Sequence, residues 1–327
     1  MVALVTLLTA RGEAQGTAFD VPVVNGHPGY LTAFQLSPDG IIDKVLIVVT
    51  GFDLSNDDHP IDDINDDYQP IIDKLGPLGW DVVIFDYVRG GIDLLDNADN
   101  LAHFIRIVDS VAVPDYHLAV VGGSMGGIVA RAMFAQEGYD MGVDTFVSLD
   151  APHHGVYLSK WLRGATSVEL GEVPALLGAE GGIQMLRGTP AHDALYGWMR
   201  DVESSPGFMA EVIDPMSTLC IALSDGEGDW NVNWYDKAVH GKFHDVSSFI
   251  ELEGLETDYM PYHSVCNFND SSTSRRRRFG YTKYWYNDTS TSYFDEKQPN
   301  PKTEHGAPDF AVEQAVDFVL RSAPPAP

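Results

Sequence analysis

Residues 116–137, YHLAVVGGSMGGIVARAMFAQE, change from one hydrophobic period to another around a single serine. Tyr116 to Val121 is a short apolar run rich in β-branched side chains, the composition of a strand buried in a parallel sheet. Gly126 to Glu137 instead spaces its apolar groups as a helix does. Ser124 stands at the junction. Gly122, Ser124 and Gly126 match G-x-S-x-G, in which small flanking residues allow a turn tight enough to lift a serine hydroxyl clear of the sheet. A helix that starts directly after the serine also aims backbone N–H groups and the positive end of its dipole at the place where an oxyanion would develop. The spacing predicts a nucleophilic serine; a glycine-rich turn without chemistry is the other reading of the same residues.

The flanking elements alternate. Ile42 to Val49 is a nearly continuous apolar run that ends in Thr50-Gly51-Phe52-Asp53, and it is followed by a helical segment near Tyr68 to Leu75. The strand Trp80 to Phe85, an amphipathic segment from Asn97 to Val108, and the strand Thr145 to Leu149 come next. Strands alternating with helices predict an α/β protein with a mostly parallel sheet covered on both faces. In that frame the loop after Val49 supplies an oxyanion donor, and the backbone N–H groups of Phe52 and Met125 are the two candidates.

The strand Thr145 to Leu149 runs directly into Asp150-Ala151-Pro152-His153-His154-Gly155. This P-H-x-G string resembles those of lipases in the α/β-hydrolase superfamily. A closer likeness is to largely uncharacterised secreted hydrolases of Bacteroidota type, carried by TGFD (50–53), GGSMGGIVAR (122–131), VSLDAPHHG (147–155), IALSDGEGD (221–229) and YMPYHSV (259–265). The resemblance implies an α/β-hydrolase fold with cap insertions. Lipases and esterases often place histidine before the glycine of the oxyanion loop, where this chain has Thr50.

A serine hydroxyl is a poor nucleophile at neutral pH until an imidazole accepts its proton. In the superfamily the chain order is serine, acid, histidine, and the histidine lies on a loop before the last helix. His305 fits, since Asp309 can cap a helix carrying Val312, Val316, Val319 and Leu320 on its inner face. His263 is the second choice; His153 and His154, just past a strand end, are expected to line the site or bond locally. Four aspartates compete as the acid. Asp150 follows the strand beside the nucleophile strand, Asp225 and Asp229 follow the apolar strand Thr218 to Leu223, and Asp258 precedes Met260-Pro261. The resembling family carries an aspartate matching Asp150, which tips the choice toward it.

A chain of 327 residues with 44% hydrophobic content suits one large α/β domain, here 17–327, rather than a compact pair. Residues 156–216, with Trp161, Met185, Leu186, Trp198 and Met199, read as a cap insertion, and 230–300 as a second, irregular insertion with a small hairpin around Tyr281 to Tyr286. The formal net charge of −28 disfavours phosphate backbones, so nucleic acid is excluded as a partner. The acidic loop 53–67 could hold calcium through carboxylates but lacks the spacing of a twelve-residue calcium loop, and a solvated acidic loop is the plainer reading. Arg275 to Arg278 is a basic run in this acidic chain, read as an exposed loop or a clamp for an anionic group. Cys220, in an apparent core strand, reads as a buried free thiol, with a disulfide to Cys266 as the lesser alternative. The apolar start MVALVTLLTA makes 1–16 a signal-peptide remnant and points to a secreted or periplasmic protein; no segment is long enough to span a membrane. Nothing in the sequence fixes an oligomeric state.

These features together predict a serine carboxylic ester hydrolase without cofactor, acting on small or medium acyl esters as its small-molecule partners. An acyltransferase or amidase of the same fold, or a binding protein that has lost the chemistry, are the alternatives.

Overall fold

The computed structural model describes residues 15–21, 30–52, 69–88, 90–149, 151–153, 155, 179–186, 189–222, 273–278, 281–286, 294–299 and 309–323. An N-terminal antiparallel pair, β1 (Gln15–Val21) and β2 (Tyr30–Gln35), leads into the apolar strands β3 (Lys44–Val49), β4 (Asp81–Tyr87), β5 (His117–Gly123), β6 (Thr145–Leu149) and β7 (Ser217–Ala222). Further along lie β8 (Thr273–Arg278), β9 (Tyr281–Tyr286) and β10 (Glu296–Pro299). The main helices are α1 (Gln69–Leu75), α2 (Leu94–Asp109), α3 (Met125–Glu137), α4 (Glu180–Met185), α5 (Pro190–Glu203) and α6 (Asp309–Ser322).

Eight strands form one sheet in the order β1-β2-β4-β3-β5-β6-β7-β10. From β4 to β10 every neighbouring pair is parallel, whereas β2 is antiparallel to β4. Because successive side chains of a strand face opposite sides, each strand feeds two layers. Val45, Ile47 and Val49 of β3 join a core with α2, α3 and α5, while Leu46 and Val48 join a second core with α1 and α6. A sheet buried on both faces explains the unbroken apolar runs of β3 and β5.

The helices start where their sequences allow. Asp93 accepts from the Leu95 amide at 2.8 Å to cap α2, and Thr189 accepts from the His192 amide at 3.1 Å ahead of Pro190 at the start of α5. The central strands and helices match the expected ones, with ends shifted by a few residues. The pair β1–β2 was not expected, and β1 begins at Gln15, inside the stretch read as a leader. The stretch read as a second insertion contains β10, which joins the main sheet beside β7; Asp295 accepts from the Thr218 amide at 2.9 Å and donates its own amide to the Thr218 hydroxyl at 3.0 Å. The expected hairpin is present, with Tyr281–Tyr286 paired to Thr273–Arg278, so the arginine run lies in a strand rather than a loop. In the stretch read as a cap, Met185, Leu186, Leu195, Tyr196 and Met199 pack into the main core with α3.

Cys220 is disulfide-bonded, which overturns the reading of a free thiol. The only other cysteine in the sequence is Cys266, and 46 residues of separation carry no local signal of such a bond. Among the described residues, no helix is long and apolar enough to cross a membrane.

Candidate active site

The carboxyl ends of β3, β5 and β6 meet at Ser124. Register places Val49 beside Gly122 and Gly123 beside Leu149, so the three strand ends finish level with one another. Ser124 follows β5 and takes φ +47° and ψ −118° before α3 starts at Met125. This is a positive φ for a residue with a Cβ, and it lies outside the ordinary left-handed helical region, so the backbone is strained. The Ser124 amide donates to the Leu149 carbonyl at 2.8 Å and the Ser124 carbonyl accepts from the Gly127 amide at 3.2 Å, which holds the bend from both sides.

Two of the glycines are required by contact. A Cβ on Gly122 would lie 2.6 Å from the Gly127 Cα, and one on Gly126 would lie 2.5 Å from the Thr50 carbonyl oxygen. Neither gap can hold a side chain, so the start of α3 packs backbone to backbone against the ends of β3 and β5. Gly51 completes the neighbourhood: a Cβ there would sit 3.4 Å from the Ser124 Cβ. Phe52 follows at once, and both Phe52 and Ser124 are half-buried, whereas Met125 is fully buried. The strand end that carries the Phe52 amide and the helix start that carries the Met125 amide therefore flank the serine. The first N–H groups of a helix have no intrahelical partner, which leaves the Met125 amide suited to an oxyanion.

The remaining predicted members lie outside the described residues: Asp150, Asp225, Asp229, Asp258, His154, His263 and His305. Their positions along the chain are still informative. Asp150 is the residue after Leu149, whose carbonyl receives the Ser124 amide. Asp225 and Asp229 follow the end of β7 at Ala222. His305 lies between the end of β10 at Pro299, in register with Ala222, and the start of α6 at Asp309. The acidic loop 53–67 also lies outside the described residues; among those described, no group of three or more histidine, cysteine or acidic side chains is arranged to hold a metal.

His153 bonds locally. It is buried, its Nε2 lies 2.7 Å from the Ser148 hydroxyl, and its ring packs on Phe294 with centroids 5.7 Å apart. Its carbonyl accepts from Arg131 at 2.8 Å. Arg131 sits on α3, otherwise apolar from Met125 to Ala135, and pairs with Glu203 at the end of α5 through two bonds of 2.6 and 2.7 Å. Arg131 is 1% exposed and Glu203 0%. Both carboxylate oxygens and three guanidinium nitrogens are engaged, the arrangement that makes a buried pair tolerable. The guanidinium also lies 5.8 Å over the Tyr196 ring, and the Tyr196 hydroxyl donates to the Pro152 carbonyl at 3.0 Å. Burial pushes the Tyr196 phenol well above its ordinary range, so it stays protonated and donating. Helix α3, the loop after β6 and α5 are thus locked together. Sequence reading missed this cluster, though one arginine inside the apolar stretch GIVARAMF was a signal that a buried partner must exist.

The strand order, the parallel run from β4 to β10 and the serine at the β5–α3 bend define an α/β-hydrolase fold. The family described as PGAP1-like alpha/beta domain matches residues 88–161. Solved structures similar to this chain include Est1E from Butyrivibrio proteoclasticus, at 12% identity and TM-score 0.44, covering 93% of this chain and 98% of that one. The mature Bacillus licheniformis lipase BlEst2 is similar at 16% identity and TM-score 0.39, with 76% and 91% covered. XC6422 from Xanthomonas campestris, described as a serine hydrolase without a lid, aligns at 19% identity and TM-score 0.33, with 42% and 62% covered. No curated protein matches the chain.

Proposed function

We propose that this chain is a serine carboxylic ester hydrolase acting on small or medium acyl esters through an acyl-enzyme. The observation that carries the reading is the strained Ser124, held at φ +47° by main-chain bonds beside two potential oxyanion donors. Strain of this kind costs on the order of 1–3 kcal/mol and is retained where it serves a purpose. Here it presents a hydroxyl at the carboxyl edge of the sheet, as nucleophilic attack requires.

In the proposed mechanism, His305 accepts the Ser124 proton as the hydroxyl oxygen attacks the ester carbonyl. The Phe52 and Met125 amides hold the resulting oxyanion, His305 returns the proton to the departing alcohol, and water then releases the acid by the same steps. Asp150 orients His305; its place one residue past Leu149, the partner of the Ser124 amide, supports this choice over Asp225, Asp229 and Asp258. The chemistry needs no cofactor. The disulfide at Cys220 supports export to an oxidising compartment.

Ser124→Ala should lower hydrolysis of p-nitrophenyl butyrate by about four powers of ten or more and abolish fluorophosphonate labelling. Retained activity in that variant would refute the reading. Alanine at each of the four aspartates in turn should leave one variant with a loss of several powers of ten. Product analysis with competing alcohol and amine acceptors separates hydrolysis from acyl transfer.

A further inference from the structure

Thr50, the first residue beyond β3, has its three polar groups engaged by three consecutive residues of β4. Its amide donates to the Phe85 carbonyl at 3.1 Å, its hydroxyl donates to Asp86 Oδ1 at 2.6 Å, and its carbonyl accepts from the Tyr87 hydroxyl at 3.2 Å. The same Asp86 oxygen accepts from the Tyr87 amide at 2.7 Å. All three side chains are buried, with Thr50 7%, Asp86 6% and Tyr87 2% exposed. The Thr50 carbonyl also lies against Gly126, and the next residue, Gly51, lies against Ser124.

The peptide that follows Thr50 leads directly to the Phe52 amide. An oxyanion donor acts only when it is held within a few tenths of an ångström of its place, and a hydrogen bond to a buried carboxylate is among the stronger ways of fixing a loop. We propose that Thr50, Asp86 and Tyr87 are positioning residues that fix the Phe52 amide for the oxyanion, with the Asp86 carboxylate as the anchor. This rests on the serine hydrolase reading above. None of the three touches the reacting atoms; they act through the backbone at 50–52. Thr50→Val keeps the shape of the side chain and removes the bond to Asp86, leaving the carboxylate short of one donor.

The test compares Thr50→Val, Thr50→Ser and Tyr87→Phe with the unaltered protein, using p-nitrophenyl butyrate turnover and the rate of fluorophosphonate labelling. Thr50→Val should lower kcat and the labelling rate about 30-fold, as loss of preorganisation does, with KM within about twofold. Thr50→Ser should restore both to within about threefold, because the hydroxyl returns. Tyr87→Phe should cost about tenfold in kcat. A Thr50→Val protein with full kcat, an equal loss in the valine and serine variants, or a change confined to KM would overturn the proposal. Should Thr50→Val fail to fold by thermal melting, Tyr87→Phe alone decides: full kcat there refutes the bracket and a selective kcat loss supports it. Ser124→Ala in the same panel separates the two ideas. If it stays active, the hydrolase reading itself fails; if it is dead while Thr50→Val is fully active, only the positioning role fails.

Discussion

Strand β5 carries a non-glycine residue of positive φ beyond each end, Asp115 at +59° before it and Ser124 at +47° after it; among the described residues these are the only two. The two mean different things. Asp115 lies in an exposed turn, and aspartate is a residue that enters the left-handed region readily because its short polar side chain can bond locally. Ser124 lies between strand and helix, its ψ of −118° departs from that region, and glycines 122 and 126 give up their side chains so that it can stay there. A tolerated turn asks nothing of its neighbours, whereas a strained bend between strand and helix constrains everything packed against it.

The sharpest way to break this comparison is to replace each residue by glycine. Ser124→Gly should remove at least about four powers of ten of ester hydrolysis while raising unfolding stability by about 1 kcal/mol, because the strain is released. Urea unfolding alongside turnover checks both halves; a Ser124→Gly protein less stable than the parent would show that the bend is not strained.

The support beneath the bend should be the next most sensitive. Glu203→Ala leaves Arg131 buried and unpaired, and is expected to cost about 3–5 kcal/mol in chemical denaturation. A loss below about 1 kcal/mol would show that α5 does not brace α3.

At the amino end of the sheet the polar groups respond to pH instead. Asp81 is 3% exposed, accepts from the Ser37 amide at 2.8 Å, and has its carboxyl raised to about 7, first by burial and then by Asp39 and Asp43. Its folded value lies above its unfolded one, so its contribution to stability is full below about pH 4 and is lost as pH rises to about 7. Asp81→Asn should flatten that part of the stability profile, measured by urea midpoints from pH 4 to 8. An unchanged slope would remove Asp81 from the account. The smallest effect belongs to Asp115→Gly, expected within about 0.5 kcal/mol of the parent and with unchanged turnover.

The strand, bend and helix around Ser124 were legible because each is written in adjacent residues: β-branched packing, small residues, then helical spacing. The same holds for β3, β4, β6 and α2. What stayed hidden depends on partners far away in the chain. Glu203 is 72 residues from Arg131, Asp86 is 36 from Thr50, and neither spacing leaves a periodic trace. The pair β1–β2 has mixed composition and a register shift between Gln15 and Thr17, so no clean alternation marks it. The strand β10 is four residues long, EKQP, and is defined by its pairing with β7 rather than by its own side chains. Of the candidate site, the serine bend and the positions of the two proposed donor amides follow from local sequence, whereas the bracket on Thr50 needed the fold.

The bond from the Ser124 amide to the Leu149 carbonyl belongs to the main chain and therefore outlives the side chain at 124. A Ser124→Ala protein keeps this tie, and with it the level strand ends around position 124, while lacking the hydroxyl that the proposed mechanism uses for attack. Under the proposed function this variant would double as bait: incubated with extracts and recovered intact, it should retain an uncut ester, whose acyl group and alcohol mass spectrometry would read out directly.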